Sequence, residues 1–248
     1  MARLFDGVND QIVWGSDASN DNLAAFTAYA LVNIGVTISA EQPILMKQDS
    51  GFLGKSFLFF GSTGNNVLVC YLTRTGGNDC YAFSNINAVA NSTWTVVVST
   101  WAGSGNVPKI YTCAIGGTLT EVTYASTNIG SGTFGDDSAA TLRYGARDSA
   151  DIWFAHTLAD FGLWSRVLNG TELADLGLGK SPEFISSGLV KASRINGSDS
   201  PEIDFVGGTN GTVTGTTFAT HPSVIYPSSY VESKRGIGRA VHRAIMRG

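Results

Sequence analysis

Apolar residues recur along this chain with two periods, and one stretch shows both in succession. From Ala159 to Arg166 the sequence alternates, with Phe161, Leu163 and Ser165 on one side and Gly162, Trp164 and Arg166 on the other. A period of two is the pattern of a β-strand whose faces meet different environments. After Val167 and Leu168 the pattern changes. Asn169 can cap a short helix, Glu172 stands three residues on as in a capping box, Leu173 and Leu176 turn back to the core, and Gly177 suits a left-handed stop.

The remaining pattern is short strands between turns. Residues 2–40 hold strands broken by a polar loop from Ser16 to Asn22, with Phe26–Val32 and Val36–Ile38 apolar enough to be buried. Gln42–Lys47 and Phe57–Phe60 follow. Val67–Thr73 and Cys80–Phe83 form a hairpin across Gly76-Gly77, which sets Cys70 opposite Phe83 and Cys80 opposite Thr73. Val96–Thr100 and Lys109–Cys113 bracket a Gly-Ser loop, and Thr118–Tyr124 and Leu142–Gly145 come next. Turn signals every ~8–12 residues are the rhythm of an antiparallel sandwich.

Taken in order, four stretches resemble the laminin-G-like, concanavalin A-like jelly-roll domains. Leu4-Phe5-Asp6-Gly7-Val8-Asn9-Asp10 is similar to the family's first strand and turn. Trp94-Thr95-Val96-Val97-Val98-Ser99, with Lys109-Ile110-Tyr111 and Gly116-Gly117, is similar to its central hairpin. Leu142-Arg143-Tyr144-Gly145-Ala146-Arg147 and Asp160-Phe161-Gly162-Leu163-Trp164-Ser165-Arg166-Val167-Leu168 are similar to its last two strands. The match covers roughly residues 3 to 177. It implies an all-β fold, a two-sheet antiparallel jelly-roll sandwich with one short helix. It leaves function open, because such sandwiches serve lectins, glycanases, adhesion modules and bacteriophage virion proteins.

Residues 188–222, with Ile195-Asn196-Gly197-Ser198, the Gly- and Thr-rich run from Asp204 to Thr216, and His221-Pro222, resemble a segment that follows the jelly roll in bacterial and phage proteins. This implies an appended β-hairpin; a polar Gly/Thr loop is the alternative. The chain then divides into a sandwich at 1–180, an appended β segment at 181–222, and a linker with a basic arm at 223–248.

Composition agrees with a large β domain. Apolar residues make up 43% of the 248 positions, enough for a substantial core, and thirty glycines mark many turns. No apolar run is long enough to span a membrane. Met1 leads straight into a strand without the basic start and apolar run of a secretory signal, so the expectation is a chain made without one or shown in mature form. Cys70, Cys80 and Cys113 are odd in number, sit in apolar strands and lack metal-ligand spacing; they read as packed thiols.

Charge divides the chain. From Lys234 on there are five basic residues and no acid, whereas the remainder carries 11 basic against 20 acidic residues, net −9. In the arm, Arg235, Arg239, Arg243 and Arg247 recur every four residues, while Ile237, Val241, Ala244 and Ile245 form a second stripe. A helix this short needs a partner to hold it. Three readings stay open: a frayed basic tail, a peptide docking on an acidic surface through Arg235, Ile237, Arg239, Val241, Arg243, Ile245 and Arg247, or nucleic-acid binding. The acidic body opposes the last.

Catalytic chemistry finds little support. Retaining glycosidases need two carboxyls about 5 Å apart, and related glucanases of this fold carry them as Glu-x-Asp-x-x-Glu or Glu-x-Asp-x-Glu. Here Glu41, Glu121, Glu172, Glu183, Glu202 and Glu232 are scattered. No Gly-x-Ser-x-Gly elbow or phosphate loop occurs, and His156 in its apolar run reads as structural. The family resemblance implies calcium among loop carboxylates, and Asp136, Asp137, Asp148 and Asp151 flank a strand; solvated turn aspartates are the alternative. Tyr144, Asp148 and Trp153 are the candidates for a sugar ring, against the reading that sandwich aromatics are core.

Three functions follow as expectations. The first is a non-enzymatic structural protein of a bacteriophage virion, held to a major capsid or tail protein by the arm. It would be a homo-oligomer such as a trimer, with the sandwich exposed to a cell-surface glycan. The second is a free extracellular lectin. The third is a glycan-cleaving enzyme, placed last because paired carboxylates are missing.

Overall fold

The computed structural model describes residues 1–48, 54–61, 64–147, 152–195, 200–206 and 208–227. Strands follow in chain order: β1 (Ala2–Leu4), β2 (Gln11–Gly15), β3 (Phe26–Asn33), β4 (Gln42–Gln48), β5 (Gly54–Gly61), β6 (Val67–Leu72), β7 (Arg74–Thr75), β8 (Cys80–Ser84) and β9 (Thr95–Trp101). Then come β10 (Lys109–Ala114), β11 (Thr120–Glu121), β12 (Tyr124–Asn128), β13 (Thr133–Phe134), β14 (Leu142–Tyr144), β15 (Thr157–Trp164), helix α1 (Gly170–Gly177) and a single 3-10 turn at Pro182–Phe184. The chain closes with β16 (Leu189–Ser193), β17 (Thr212–Thr214) and β18 (Thr217–Ala219).

Two antiparallel sheets face each other. The first runs β11-β10-β9-β3-β15-β1-β18, with β16 also beside β15; the second runs β12-β8-β6-β5-β4-β14-β2-β17. A small β13-β7 ribbon stands apart. The all-β sandwich expected from the sequence is the fold observed.

Two cores hold it, and they explain the patterning. Between the sheets Trp14, Tyr144 and Phe161 pack ring to ring, with centroids 4.9 Å apart for Trp14–Phe161 and 5.3 Å for Tyr144–Phe161. On the outer face of the first sheet, Tyr29, Leu31, Val96, Val98 and Trp164 are covered by Leu168, Leu176 and Ile185 from α1 and its flanks. β9 is therefore buried along its whole length, and its Val-Val-Val run has no polar face. Phe161 and Leu163 join the inner core and Trp164 the outer, as their alternation predicts.

The helix start is as the sequence predicts: Asn169 accepts from Thr171 and Glu172 while Glu172 reaches back to the Asn169 amide. The stop differs. The left-handed residue is Gly179 at φ +83, with Gly179 N donating to Leu176 O and Lys180 N to Asp175 O. Those paired bonds form a Schellman turn. Gly177 is instead buried against the Gly117 carbonyl, where a Cβ would sit 2.8 Å away.

Two other expectations are corrected. Cys70 pairs with Ala82 and Leu72 with Cys80, one residue out of the predicted register, because Arg74 and Thr75 leave the turn to pair with β13. The appended segment packs on the sandwich, but β17 and β18 do not pair with each other. β17 joins β2 in one sheet and β18 joins β1 in the other. β1 and β2 hop between sheets and leave two open edges side by side, and a turn at Gly215 lets one short segment cover both. Residues 223–227, where the linker begins, are tied to the sandwich. Ser181 N donates to Ile225 O, Ile225 N to Gly179 O, and Val224 packs on the outer core. The arm residues Arg235, Ile237, Arg239, Val241, Arg243, Ile245 and Arg247 lie outside the described residues. Among the described residues, no helix is long and apolar enough to cross a membrane.

Candidate functional site

At the end of the sandwich where β3 begins and β9 finishes, the loops leave an open cleft of about 440 Å³, lined by Asn22, Leu23, Lys55, Trp101, Phe134 and Asp136 among others. Trp101 is the last residue of β9, and its Nε1 donates to Asn106 O at 3.0 Å, which pins the following loop. Phe134 is set by the β13-β7 ribbon. Its ring meets Trp101 edge to face at 4.6 Å, and the Arg74 guanidinium lies 3.8 Å from its centroid. Arg74 in turn donates to the carbonyls of Gly132 and Ile129 at 3.1 Å. The aromatic wall is thus held from behind by a cation and a ribbon.

Beneath the cleft lies a buried charge cluster. Asp137 is fully buried and its carboxylate is held by Lys55 and by the Asn22 amide; Lys47, also fully buried, lies 3.6 Å from it. Lys47 further pairs with Asp21 at 2.8 Å and donates to the carbonyls of Asp137 and Ala140. Buried charges survive only when paired and hydrogen-bonded in this way. Asn22, in the left-handed region at φ +49, exchanges bonds with Asp137 and donates through Nδ2 to Asp136 Oδ1 at 2.8 Å. One asparagine therefore braces the loop at 16–25 against the loop carrying both aspartates.

Asp136 is exposed. Its Oδ1 accepts from Asn22 and from Ser138 N, and these bonds, the Asn22 one foremost, hold its carboxyl down to about 2. The cleft presents the ionised Asp136 carboxylate and the half-buried Phe134 ring; Trp101, 2% exposed, backs that ring, and the Lys55 ammonium is bonded to Asp137 beneath.

The sequence-predicted site residues are distributed differently. Tyr144 is fully buried between the sheets and its hydroxyl donates to Ala159 O at 2.8 Å, so it has no face to offer a ligand. Trp153 is half-buried and bridges to Ala146 on the connection from β14 to β15. The pairing of Thr157 with Asn33 puts that connection at the end of the sandwich away from the cleft. Asp148 and Asp151 lie outside the described residues. Asp136 and Asp137 share a loop but do not suit calcium. That ion takes six to eight oxygens, whereas two lysine ammoniums already neutralise Asp137 and would repel a dication. Among the described residues no group of three His, Cys, Asp or Glu side chains could hold a metal. Lys47, Lys55, Asn22 and Phe134 carry no local sign of their role. Only the polar loop at 16–22 pointed toward this end.

No protein-family model and no curated protein matches the chain. Solved structures do. An inferred carbohydrate binding protein from Bacteroides ovatus ATCC 8483 matches with a TM-score of 0.58 and 18% identity, over 91% of this chain and 61% of that one. The enzymatically active domain of tailspike protein 2 of bacteriophage CBA120 matches with a TM-score of 0.52 and 8% identity, over 79% of this chain and 33% of that one. This chain spans less than two thirds of either neighbour. At such identities the likeness is one of fold.

Proposed function

We propose that this chain is a non-enzymatic carbohydrate-binding module, with the cleft over Phe134 and Trp101 as its sugar site, carried on a bacteriophage particle by its C-terminal arm. The observation that carries the reading is the meeting of the exposed Asp136 carboxylate and the Phe134 ring, backed by Trp101, in one open cleft. Sugars offer hydroxyls and apolar C–H faces together. A carboxylate accepts from hydroxyls, and an aromatic ring covers the C–H face.

The same geometry favours binding over cleavage. A glycosidase acid keeps its proton near neutral pH through a raised pKa. Asp136 has the opposite shift, and Asp137 is committed to lysines. The two solved neighbours are named as an inferred carbohydrate binding protein and an enzymatically active domain of a phage tailspike, which supports the carbohydrate and particle parts of the proposal and leaves the absence of catalysis to experiment. The tether rests on the arginine and apolar stripes of the arm, which suit an acidic face on a capsid or tail protein, with the module in several symmetric copies.

A glycan array tests the first half. Binding lost in Asp136→Ala and Phe134→Ala, with the fold retained, is expected; no glycan bound by the native chain overturns it. Truncation after Pro227 tests the second. The shortened chain should fold and fail to enter particles, and its retention on purified particles would remove the tether.

A further inference from the structure

The outer face of the first sheet is covered by α1 and its flanks over only part of its width. At the other end of β3 the face is open and forms a pocket of about 320 Å³. Its floor is one cross-strand row. Leu4 of β1 pairs with Thr157 of β15, and Thr157 pairs with Asn33 of β3. Val32 pairs with Thr95, so Trp94 continues the row beyond Asn33. Ala219 and Thr220 close one rim, and Gly35 and His156 the other.

The chemistry of this row is specific. Its centre is an amide and a hydroxyl, Asn33 and Thr157, and its ends are Leu4 and Trp94. Trp94 packs one side on the outer core and gives another to the pocket. His156 is almost fully buried, and its Nδ1 accepts from Gly35 N at 3.4 Å. That tautomer leaves Nε2 as an N–H donor. Burial holds the imidazole below its ordinary pKa, so it is neutral at physiological pH. Among the described residues, no Asp, Glu, Lys or Arg lines the pocket. An uncharged set of amide, hydroxyl and imidazole groups beside an indole suits a neutral ligand that is polar at its edge and apolar on its face. The volume falls at the low end for small-molecule sites.

We infer that the pocket formed by Trp94, Asn33, Thr157 and His156 is a second binding site, selective for a neutral sugar unit and separate from the charged loop-end cleft. Two sites on one module would let a single chain grip a glycan at two points, with avidity beyond either site alone.

The test is an amide-resonance titration of the full chain with glucose, galactose, mannose and N-acetylglucosamine, each at millimolar concentration, beside a glycan carrying a charged sugar. The expected result is that at least one neutral sugar shifts the resonances of Asn33, Gly35 and Thr157. Asn33→Ala should weaken that sugar about tenfold or more. Trp94→Ala serves as the second variant, its fold checked by the same spectrum. Neutral sugars that shift only residues around Asp136, or none, overturn the second site. The cleft is judged independently, by loss of binding in Asp136→Ala.

Discussion

The imidazole Nε2 of His221 lies 3.0 Å from Asp160 Oδ1, while its Nδ1 faces Pro222 O at 2.8 Å. Both ring nitrogens therefore meet acceptors, the arrangement that a protonated ring satisfies best. Asp160 is fully buried, and Tyr226 donates to it as well, so the cluster fastens residues 221–226 to the middle of β15. Burial pulls the imidazole pKa down, but the hydrogen bond and charge of Asp160, with the two carbonyls at Pro222 and Arg194, outweigh it and raise the value. At Asp160 burial outweighs the hydrogen bond and charge of His221 and the bond from Tyr226, and the carboxyl moves up.

A pH dependence follows from that sign. A raised histidine gives stability that is fully present below its unfolded pKa of about 6.5 and lost as pH rises through the folded value. The melting temperature should fall as pH rises above about 6.5, and Asp160→Asn should flatten the curve. A native profile already flat over that range would show that the latch carries no charge.

Asp137 should be far more costly to remove than its neighbour. Asp137→Ala strands the buried Lys55 and leaves Lys47 with Asp21 as its one carboxylate, and should cost about 3–5 kcal/mol in urea unfolding. Asp136→Ala, on an exposed side chain, should leave the midpoint nearly unchanged while abolishing glycan binding.

Tyr144→Phe separates a core role from a ligand role. Losing the buried bond to Ala159 O should cost about 1 kcal/mol and leave glycan binding intact. A binding defect without a stability change would put Tyr144 in contact with ligand after all.

The two ends of α1 should respond differently from the middle. Asn169→Ala removes the cap and should cost about 1 kcal/mol. Gly179→Ala forces a side chain into the left-handed region and should cost about 1–2 kcal/mol, read as a drop in the thermal midpoint.

The fold was legible where a signal is local. The Phe161–Trp164 alternation, the Asn169–Glu172 box and the Val96–Val98 run each declare a strand or helix through near neighbours. The candidate site was legible only as a loop with aspartates. Lys55 and Phe134 are ordinary strand residues until β5 and β13 are placed around β9. Tyr144 looked available because an aromatic between loop aspartates reads the same whether it points in or out.

What the sequence by itself determined is most of the long strands, though the expected Val36–Ile38 strand does not form, the helix and its capped start, and the segregation of charge between body and arm. These depend on periodicity and on contacts within a few residues. Only the tertiary structure decided that β17 and β18 close two different sheets, that Asp137 belongs to lysines and not to a metal, and that the chain stays docked through Tyr226. Those outcomes depend on which distant edges and charges are left unpaired once the sandwich has formed, and burial makes leaving them so too costly.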